Sequence, residues 1–226
     1  MTPMTIYRSA LISRRPDLTS EQFRRHWIDV HGSLASKLPG VGSYRQNHIC
    51  ERVFEALEPP VQAIDGISQL SFESVEDMVI SDNSPEYAAV KADIPNMQSG
   101  ITILVLRSHE VVAGAPGRRY PAKLLCVSTR RRDDADLQSR WLAAGTALAA
   151  IPGVSRLVQN FVIDRGHPVH AGVPAGDAGP VEALTELWFE NDDGLRNSVD
   201  QVRVTFEGDT SLRPIALYRI NEVYII

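Results

Sequence analysis

One sequence pattern occurs twice in this 226-residue chain, at positions 113 residues apart. Residues 38–49 read LPGVGSYRQNHI and residues 151–162 read IPGVSRLVQNFV, with Pro, Gly, Val, Gln and Asn identical. Three flanking blocks repeat in the same order: FRRHW with LQSRW, ISQLSFE with LTELWFE, and LRSHEVV with YRINEVY. Four blocks in one order indicate a tandem duplication, which predicts two copies of one small folding unit.

The first predicted helix of the N-terminal copy is bounded by clear signals. Thr19 and Gln22 form a capping-box pattern at its start, and Pro39-Gly40 ends it. Between them an apolar stripe recurs at helical spacing: Phe23, Trp27, Val30, Leu34 and Leu38. We expect this stripe to be buried, with His31 at its border near the end of the helix.

Strand-like patterns surround this helix and recur in the second copy. They predict strands at about 5–13, 41–51, 64–73, 101–112, 120–129, 154–164, 181–190 and 214–226, with further helices after Ser74, at 135–150 and at 193–205. Each copy is then a βαββαβ unit, over residues 1–113 and 119–226. Helices on one face of each four-stranded antiparallel sheet leave its other face bare. The two sheets are therefore expected to pack face to face, with an apolar ligand pocket between them.

Composition argues against several classes of partner. The net charge of −5 and the pI near 5.7 argue against nucleic-acid binding, which needs a basic surface. The sequence has no run of about 18 apolar residues, so it predicts no membrane helix. The N-terminus lacks the features of a signal peptide. Cys50 and Cys126 fall in predicted strands as buried, reduced thiols, which is typical of a cytoplasmic protein. No nucleotide-binding, zinc or nucleophile-elbow motif occurs, so no cofactor is predicted.

Comparison of the two copies separates structural from functional candidates. Some polar and turn residues persist and are predicted to be structural: Pro39, Gly40, Gln46 and Asn47 have counterparts in Pro152, Gly153, Gln159 and Asn160. Others are not repeated: His31, Tyr44 and His48 align with Ala144, Leu157 and Phe161. Buried polar groups cost free energy unless they are paired. A polar cluster confined to one copy therefore indicates a site in the N-terminal half.

Chemistry suggests a role for each residue of this cluster. His31 is the predicted general base or acid, because imidazole is the side chain that titrates nearest neutrality. Tyr44 would donate a hydrogen bond to a substrate oxygen and stabilise an enolate or phenolate. Trp27, Gln46 and His48 are expected to bind the ligand beside them, since Tyr44, Gln46 and His48 alternate along one strand face. Alternatively, His31 caps the helix C-terminus and Tyr44 is a core aromatic residue.

Other histidines are weaker candidates. His167 and His170 lie in the loop RGHPVHAGVPAGDAGP, and an H-x-x-H pair could bind a metal ion. The spacing suggests no third ligand, so no metal is predicted and a position at the pocket mouth is favoured. His26 is expected to be exposed. Haem binding stays open, because a single histidine ligand leaves no local motif.

Residues 14–49, RRPDLTSEQFRRHWIDVHGSLASKLPGVGSYRQNHI, resemble the EthD-like branch of the dimeric α/β-barrel superfamily. The likeness rests on the helix after a Pro-containing turn, the W-x3-H-G pattern, and the L-P-G strand start with Y-x-Q-N. It implies two ferredoxin-like units that form, within one chain, the α/β barrel that relatives form as dimers, with further oligomerisation left open. It also implies that His31 and Tyr44 line the site.

The same resemblance narrows the function. The superfamily includes cofactor-free monooxygenases acting on polycyclic phenols, lactone isomerases, decarboxylases, haem-handling proteins and stress proteins. We therefore predict a cofactor-independent enzyme that acts on a small hydrophobic carbonyl or phenolic compound by proton transfer, as an oxidoreductase, isomerase or lyase. The alternatives are a non-catalytic binding or stress protein that sequesters an apolar metabolite or haem, and a scaffold without activity.

Overall fold

The computed structural model describes residues 5–56, 63–131, 136–167, 172–175, 181–208 and 212–226. These residues form a closed antiparallel barrel of eight strands. The strands are β1 (Ile6–Arg14), β2 (Ser43–Glu55), β3 (Gly66–Phe72), β4 (Gln98–Val112), β5 (Ala122–Arg130), β6 (Val154–Asp164), β7 (Val181–Phe189) and β8 (Leu212–Tyr224). Every predicted strand is present, and the α+β class is confirmed.

The helices cover the outside of the barrel. Helix α1 (Ser20–His26) continues through a π-helical segment (Trp27–His31) into α2 (Gly32–Ala35), and α3 (Val75–Asp82) precedes α4 (Pro85–Met97). The second half contributes α5 (Leu137–Ala149) and α6 (Asp192–Gly208). The predicted capping box is present, since Thr19 Oγ1 accepts from Gln22 N at 3.1 Å and Gln22 Oε1 accepts from Thr19 N at 2.8 Å. Among the helices of the described residues, none is long and apolar enough to cross a membrane.

Both halves have the same strand order. It is β4-β1-β3-β2 in the first half and β8-β5-β7-β6 in the second. The two sheets join edge to edge, because β2 pairs with β8 and β4 pairs with β6, both antiparallel. Main-chain hydrogen bonds at both seams thus close the two sheets into one barrel.

Side chains of both halves fill the interior of the barrel. Apolar residues from all eight strands pack there around a buried ion network. Lys123 Nζ lies 2.5 Å from Glu186 Oε2 and 2.6 Å from Glu222 Oε1, and Arg45 Nη1 lies 3.3 Å from Glu222 Oε1. Burial alone would raise the pKa of Glu222, but Lys123 and Arg45 lower it to about 2. Two cations and two carboxylates therefore balance in the core, where an unpaired charge would be costly.

Residues that the two halves share make the same contacts. The repeated glutamines bind the helix backbone: Gln46 Nε2 donates to Trp27 O and Gln159 Nε2 to Trp141 O, both at 2.7 Å. The repeated asparagines bind the neighbouring strand: Asn47 Nδ2 donates to Ile67 O at 3.0 Å and Asn160 Nδ2 to Leu184 O at 3.2 Å. Gly40 and Gly153 have φ values of 74° and 87°, a region that favours glycine. These contacts agree with the structural role predicted for the repeated residues.

The two cysteines differ in exposure. Both are free thiols, and Cys126 is buried as predicted, but Cys50 is exposed. The register between β2 and β8 shifts between Ile49 and Glu51, so that Cys50 is the unpaired residue of a bulge. A bulge turns one side chain out of the regular alternation of a strand, which the sequence pattern does not reveal.

Candidate functional site

The spacing between the buried tryptophan and the glycine that follows it is one residue longer in the first half than in the second. Gly32 follows Trp27 by five positions, whereas Gly145 follows Trp141 by four. The first half accommodates the extra residue in the π-helical segment Trp27–His31, while α5 is a regular α-helix. Single-turn π segments within α-helices occur frequently at functional sites.

The π-helical segment changes which side chains face the sheet. The periodic stripe predicts that Val30 and Leu34 are buried, but Val30 is 43% exposed and Leu34 is only half-buried. His31 and Ala35 are buried in their place. One extra residue rotates the following helix by about 100°, the angle of one residue in a helix of 3.6 residues per turn. The expected stripe is therefore wrong at Val30 and Leu34 but correct at Leu38, which is buried, and His31 points inward.

His31 borders a narrow cavity of about 30 Å³ between the N-terminal sheet and its helices. Its apolar lining consists of Ala10, Ile12, Ala35, Leu38, Leu70, Val90, Ile94, Ile101 and Ile103. Its polar lining consists of Arg8, His31, Tyr44, Ser68, Tyr87 and Gln98. The sequence places the pocket between the two sheets, whereas this cavity lies on the opposite, helix-covered face, because the barrel interior is packed.

His31 is paired with a carboxylate that the sequence analysis missed. His31 Nδ1 lies 3.0 Å from Asp93 Oδ2, and both side chains are buried. Burial alone would raise the pKa of Asp93, but hydrogen bonds from His31, Asn96 and His26 lower it well below its usual range. An ionised carboxylate only accepts hydrogen bonds, so His31 Nδ1 donates and neutral His31 has a lone pair on Nε2. This Nε2 makes no hydrogen bond with the part of the chain that the structure describes.

His26 binds the other oxygen of the same carboxylate. Its Nε2 lies 2.9 Å from Asp93 Oδ1, and its side chain is half-buried rather than exposed as expected. Asn96 Nδ2 donates to the same oxygen at 3.1 Å. Three donors thus fix the orientation of Asp93. One sequence signal points to this residue, since Asp93 lies beside Val90 and Ile94 on the buried face of α4.

Tyr44 lies on the floor of the cavity with its hydroxyl oxygen already engaged. The oxygen accepts hydrogen bonds from Trp27 Nε1 and Gln46 Nε2, each at 3.0 Å. Burial raises the pKa of Tyr44 to about 12, although these two hydrogen bonds and the nearby Arg8 oppose the shift. The hydroxyl therefore keeps its proton at neutral pH. With both lone pairs occupied, it can donate that proton to a ligand oxygen.

The other three predicted site residues surround Tyr44 but lie behind the cavity wall. Trp27 and Gln46 hold the Tyr44 hydroxyl, as described above. His48 Nε2 donates to Gln46 Oε1 at 3.0 Å, and its ring centroid lies 4.5 Å from that of Trp27. Burial, together with Arg24, lowers the pKa of His48 to about 4. Neutral His48, Gln46 and Trp27 thus form a network that positions Tyr44.

The second half retains only fragments of this network. Trp141 Nε1 and Gln159 Oε1 are buried without a hydrogen-bond partner. The reason is that Leu157 and Phe161 stand where the first half has Tyr44 and His48. Apolar side chains fill the space that corresponds to the cavity, among them Leu124, Leu148, Leu157, Leu195 and Val202.

Arg8 is the second site residue that the sequence analysis missed. Arg8 Nη2 donates to the Tyr87 hydroxyl, and its guanidinium lies 4.5 Å from the Tyr87 ring centre. Arg8 Nε lies 3.4 Å from Asp82 Oδ1. Arg8 is paired with Leu70 on β3, and in the second half Leu124 is paired in the same way with Leu187 on β7. The second half therefore has a leucine, Leu124, in the place of Arg8. A signal exists here too, because Arg8 interrupts the apolar face that Ala10 and Ile12 continue.

The long loop of the second half contacts the first half near Arg8. His167 Nε2 lies 2.6 Å from Asp82 Oδ2, while His170 lies outside the described residues. Ile101 N donates to Pro174 O at 3.3 Å. Within the described ranges, no group of three or more His, Cys, Asp or Glu side chains is arranged to hold a metal ion. His167 is thus engaged with the α3 carboxylate that also pairs with Arg8.

Comparisons with known proteins agree with this architecture. An anthrone oxidase-like protein is 11% identical, with 99% of this chain and 94% of that chain covered and a TM-score of 0.62. A candidate monooxygenase from Lactobacillus acidophilus is 12% identical over 99% of this chain and 95% of its own, with a TM-score of 0.54. A candidate chlorite dismutase is 10% identical, with 97% of this chain and 95% of that chain covered and a TM-score of 0.55. At such identities the likeness establishes the fold alone.

Sequence comparison finds a family match in the N-terminal half. A search of curated proteins finds no significant match. Residues 15–100 match the family model described as the EthD domain, and they include α1, the π-helical segment, α2, α3 and α4. His31, Tyr44 and Asp93 all fall within this range. Residues 15–100 are therefore similar to the EthD domain, within a barrel whose fold the chain shares with these solved structures over nearly its whole length.

Proposed function

We propose that this protein is an oxidative enzyme that removes a proton from a small apolar carbonyl or phenolic compound bound in the helix-side cavity. One observation carries the proposal. His31 Nδ1 is bound to Asp93, which leaves Nε2 free to act as a base, and His31 and Tyr44 both line one largely apolar cavity. A base and an oxygen-binding donor on one cavity are the two groups that enolate or phenolate formation requires.

The residues divide the work of proton transfer. His31 Nε2 takes a proton from a phenolic O–H or from a C–H beside a carbonyl, and the released electron pair moves onto the substrate oxygen. Tyr44 donates a hydrogen bond to that oxygen, where negative charge develops. Asp93 stabilises the imidazolium that forms and holds His31 in the required tautomer. The apolar lining keeps water away, which strengthens these electrostatic contacts.

Oxidation follows from the electron-rich intermediate. An enolate or phenolate can pass electrons to dioxygen, which is the oxidant in this proposal. With anthrone the balanced reaction consumes one dioxygen and gives anthraquinone and water. The names of two structures with this fold, a candidate monooxygenase and an anthrone oxidase-like protein, support an oxidative outcome. Isomerisation starts from the same intermediate, and decarboxylation forms it by loss of carbon dioxide, so both are other outcomes of a substrate screen.

Anthrone in deuterated buffer tests the proton-transfer step. Without oxygen, NMR measures exchange of the acidic ring CH2 hydrogens; in air, absorbance and an oxygen electrode measure anthraquinone formation and oxygen uptake. We expect the protein to accelerate exchange and His31→Ala to lower the rate by about 100-fold or more, the usual contribution of a general base. His109→Ala is the matched control, since His109 is exposed on β4. Full exchange activity in His31→Ala would overturn the proposal.

A binding function is the second candidate, and one feature favours it. An imidazole that donates Nδ1–H to a carboxylate presents Nε2 in the manner of many metal-ligating histidines, so His31 could hold haem iron. Hemin titration separates the two functions. A stable Soret band that is lost in His31→Ala, without exchange or turnover of any phenol or ketone probe, would replace the enzyme proposal with haem binding.

A further inference from the structure

We infer that the cavity, once the side chains that line it move apart, takes an elongated apolar ligand with two polar ends: an acidic oxygen held by Arg8 and Tyr44, and a neutral hydrogen-bonding group held by Gln98. This inference rests on the proposed function, for which it names the substrate class and its orientation. It uses two residues, Arg8 and Gln98, to which the proton-transfer step assigns no role.

Arg8 and Tyr44 lie at the same end of the cavity. Both pair with Leu70, Arg8 from β1 and Tyr44 from β2, so their side chains lie in one row on the same sheet face. Arg8 is 6% exposed, and its buried Nε donates no hydrogen bond. The Tyr44 hydroxyl accepts two hydrogen bonds and retains its own proton to donate. A charged and a neutral donor in one row suit a carboxylate, phenolate or enolate oxygen.

The charge of Arg8 is only partly neutralised by the protein. Asp82 is its carboxylate partner, but the separation of 3.4 Å leaves Asp82 Oδ1 without a hydrogen bond. The other oxygen, Asp82 Oδ2, is bound to His167 at 2.6 Å. A buried cation with an incompletely made ion pair is costly to the fold. An anionic ligand oxygen beside Arg8 would offset that cost.

Gln98 supplies an unpaired polar group at the far end. It is 2% exposed, it lines the cavity, and its Oε1 is buried without a hydrogen-bond partner. Gln98 pairs with Arg14, six residues along β1 from Arg8, which corresponds to about 20 Å between the backbone positions. The two long side chains shorten the distance between the polar groups. An amide both accepts and donates, so it suits a hydroxyl or carbonyl group.

The wall between these ends is apolar, and His31 lies above its middle. Ala10 and Ile12 follow Arg8 on the same face of β1, and Ile101 and Ile103 continue the surface on β4. His31 is next to Gly32, which packs against Gln46. Gln46 is paired with Ser68, and Ser68 is in turn paired with Ala10 on β1. A ligand anchored at both ends would therefore pass beneath His31.

Three matched probes test this orientation by isothermal titration calorimetry. 6-Hydroxy-2-naphthoate has both polar ends, 2-naphthoate lacks the hydroxyl, and methyl 6-hydroxy-2-naphthoate lacks the charge. With the unmodified protein we expect loss of the charge to weaken binding by about 10-fold or more and loss of the hydroxyl by about 3- to 10-fold, the usual ranges for charged and neutral hydrogen bonds. Gln98→Leu should abolish only the hydroxyl preference, and Arg8→Met only the charge preference. His109→Ala should keep both preferences.

The ligand-side comparison keeps the inference testable even where Arg8→Met fails to fold. Equal affinity of the unmodified protein for the three probes, or no binding of any probe at about 1 mM, overturns it. So does a hydroxyl preference that persists in Gln98→Leu. Affinity at equilibrium requires no turnover, so the two proposals fail separately. If the ligand preferences are as expected but His31→Ala does not slow proton exchange, only the proposed function is wrong.

Discussion

His31 and Ala144 precede equivalent glycines, yet only His31 is buried against the sheet of its half. The glycines anchor both helices at the same point. A Cβ on Gly32 would lie 3.2 Å from Gln46 Nε2, and one on Gly145 would lie 2.6 Å from Gln159 Oε1. The single-residue difference between the halves therefore falls in the turn before the glycine. That turn is π-helical in the first half, and it places His31 on the cavity.

Deletion of Val30 should convert this turn into a regular α-helix. Val30 is exposed, and the shortened sequence matches the spacing of the second half, so we expect the protein to fold. The histidine should then occupy the half-buried position of Ala144, away from Asp93. Proton exchange should fall as far as in His31→Ala. Circular dichroism and thermal melting monitor the fold, and Val30→Ala, which keeps the extra residue, should behave like the unmodified protein.

Replacement of Asp93 by Asn should separate catalysis from binding. The amide keeps the shape of the side chain but no longer fixes the His31 tautomer or stabilises the imidazolium. We expect the exchange rate to fall by about 100-fold, within the range for general acid–base groups, while ligand affinity changes by less than about threefold. His26→Gln is the control, since His26 binds Asp93 but does not line the cavity. An equal loss in both variants would assign Asp93 a structural role only.

Much of this fold follows from the sequence, because strand alternation, helix caps and the repeat are local patterns. The same repeat correctly separates Gln46 from Tyr44, since only Gln46 has the same partner in both halves. The site could be predicted less completely from the sequence. Helical spacing assumes 3.6 residues per turn, so it misplaced Val30 once a π-helical segment intervened. Asp93 reaches His31 across 62 positions, a contact that only the packing of α4 against the π-helical segment determines.

Removal of the Lys123 ammonium should destabilise the barrel through its unpaired carboxylates. Lys123 Nζ contacts Glu186, Glu222 and Asn47 Oδ1, the last at 2.6 Å. We expect Lys123→Met to lower the free energy of unfolding by about 3–5 kcal/mol, as when one partner of a buried ion pair is removed. Urea denaturation at pH 7 measures this change. Lys37→Met, at an exposed lysine, should shift it by less than about 0.5 kcal/mol.

His48 should make the protein less stable in mild acid. Its pKa is about 4 in the folded protein, below the ordinary value of 6.5, so folding favours the neutral ring. The contribution of His48 to the free energy of unfolding is then complete above pH 6.5, and it declines as the pH falls towards 4. At pH 4.5 the loss amounts to about 2.5 kcal/mol by proton linkage. Urea denaturation between pH 7 and 4.5 should show this loss relative to His48→Phe, which lacks the titrating group. Parallel pH profiles for the two proteins would contradict the prediction.

Phe161→His should restore a hydrogen bond that the second half lacks. The Phe161 ring centroid lies 5.6 Å from that of Trp141, much as His48 lies beside Trp27. A histidine there can donate to Gln159 Oε1, which is now buried and unpaired. Phe161→Leu is the matched control, since it also removes the phenyl ring but supplies no donor. We expect the histidine variant to exceed the leucine variant by about 1 kcal/mol in unfolding free energy at pH 7, the value of one hydrogen bond.

The difference should vanish when Gln159 is also replaced by Leu, because the acceptor is then absent. A difference that survives this second replacement would show that the gain comes from ring packing rather than from the hydrogen bond.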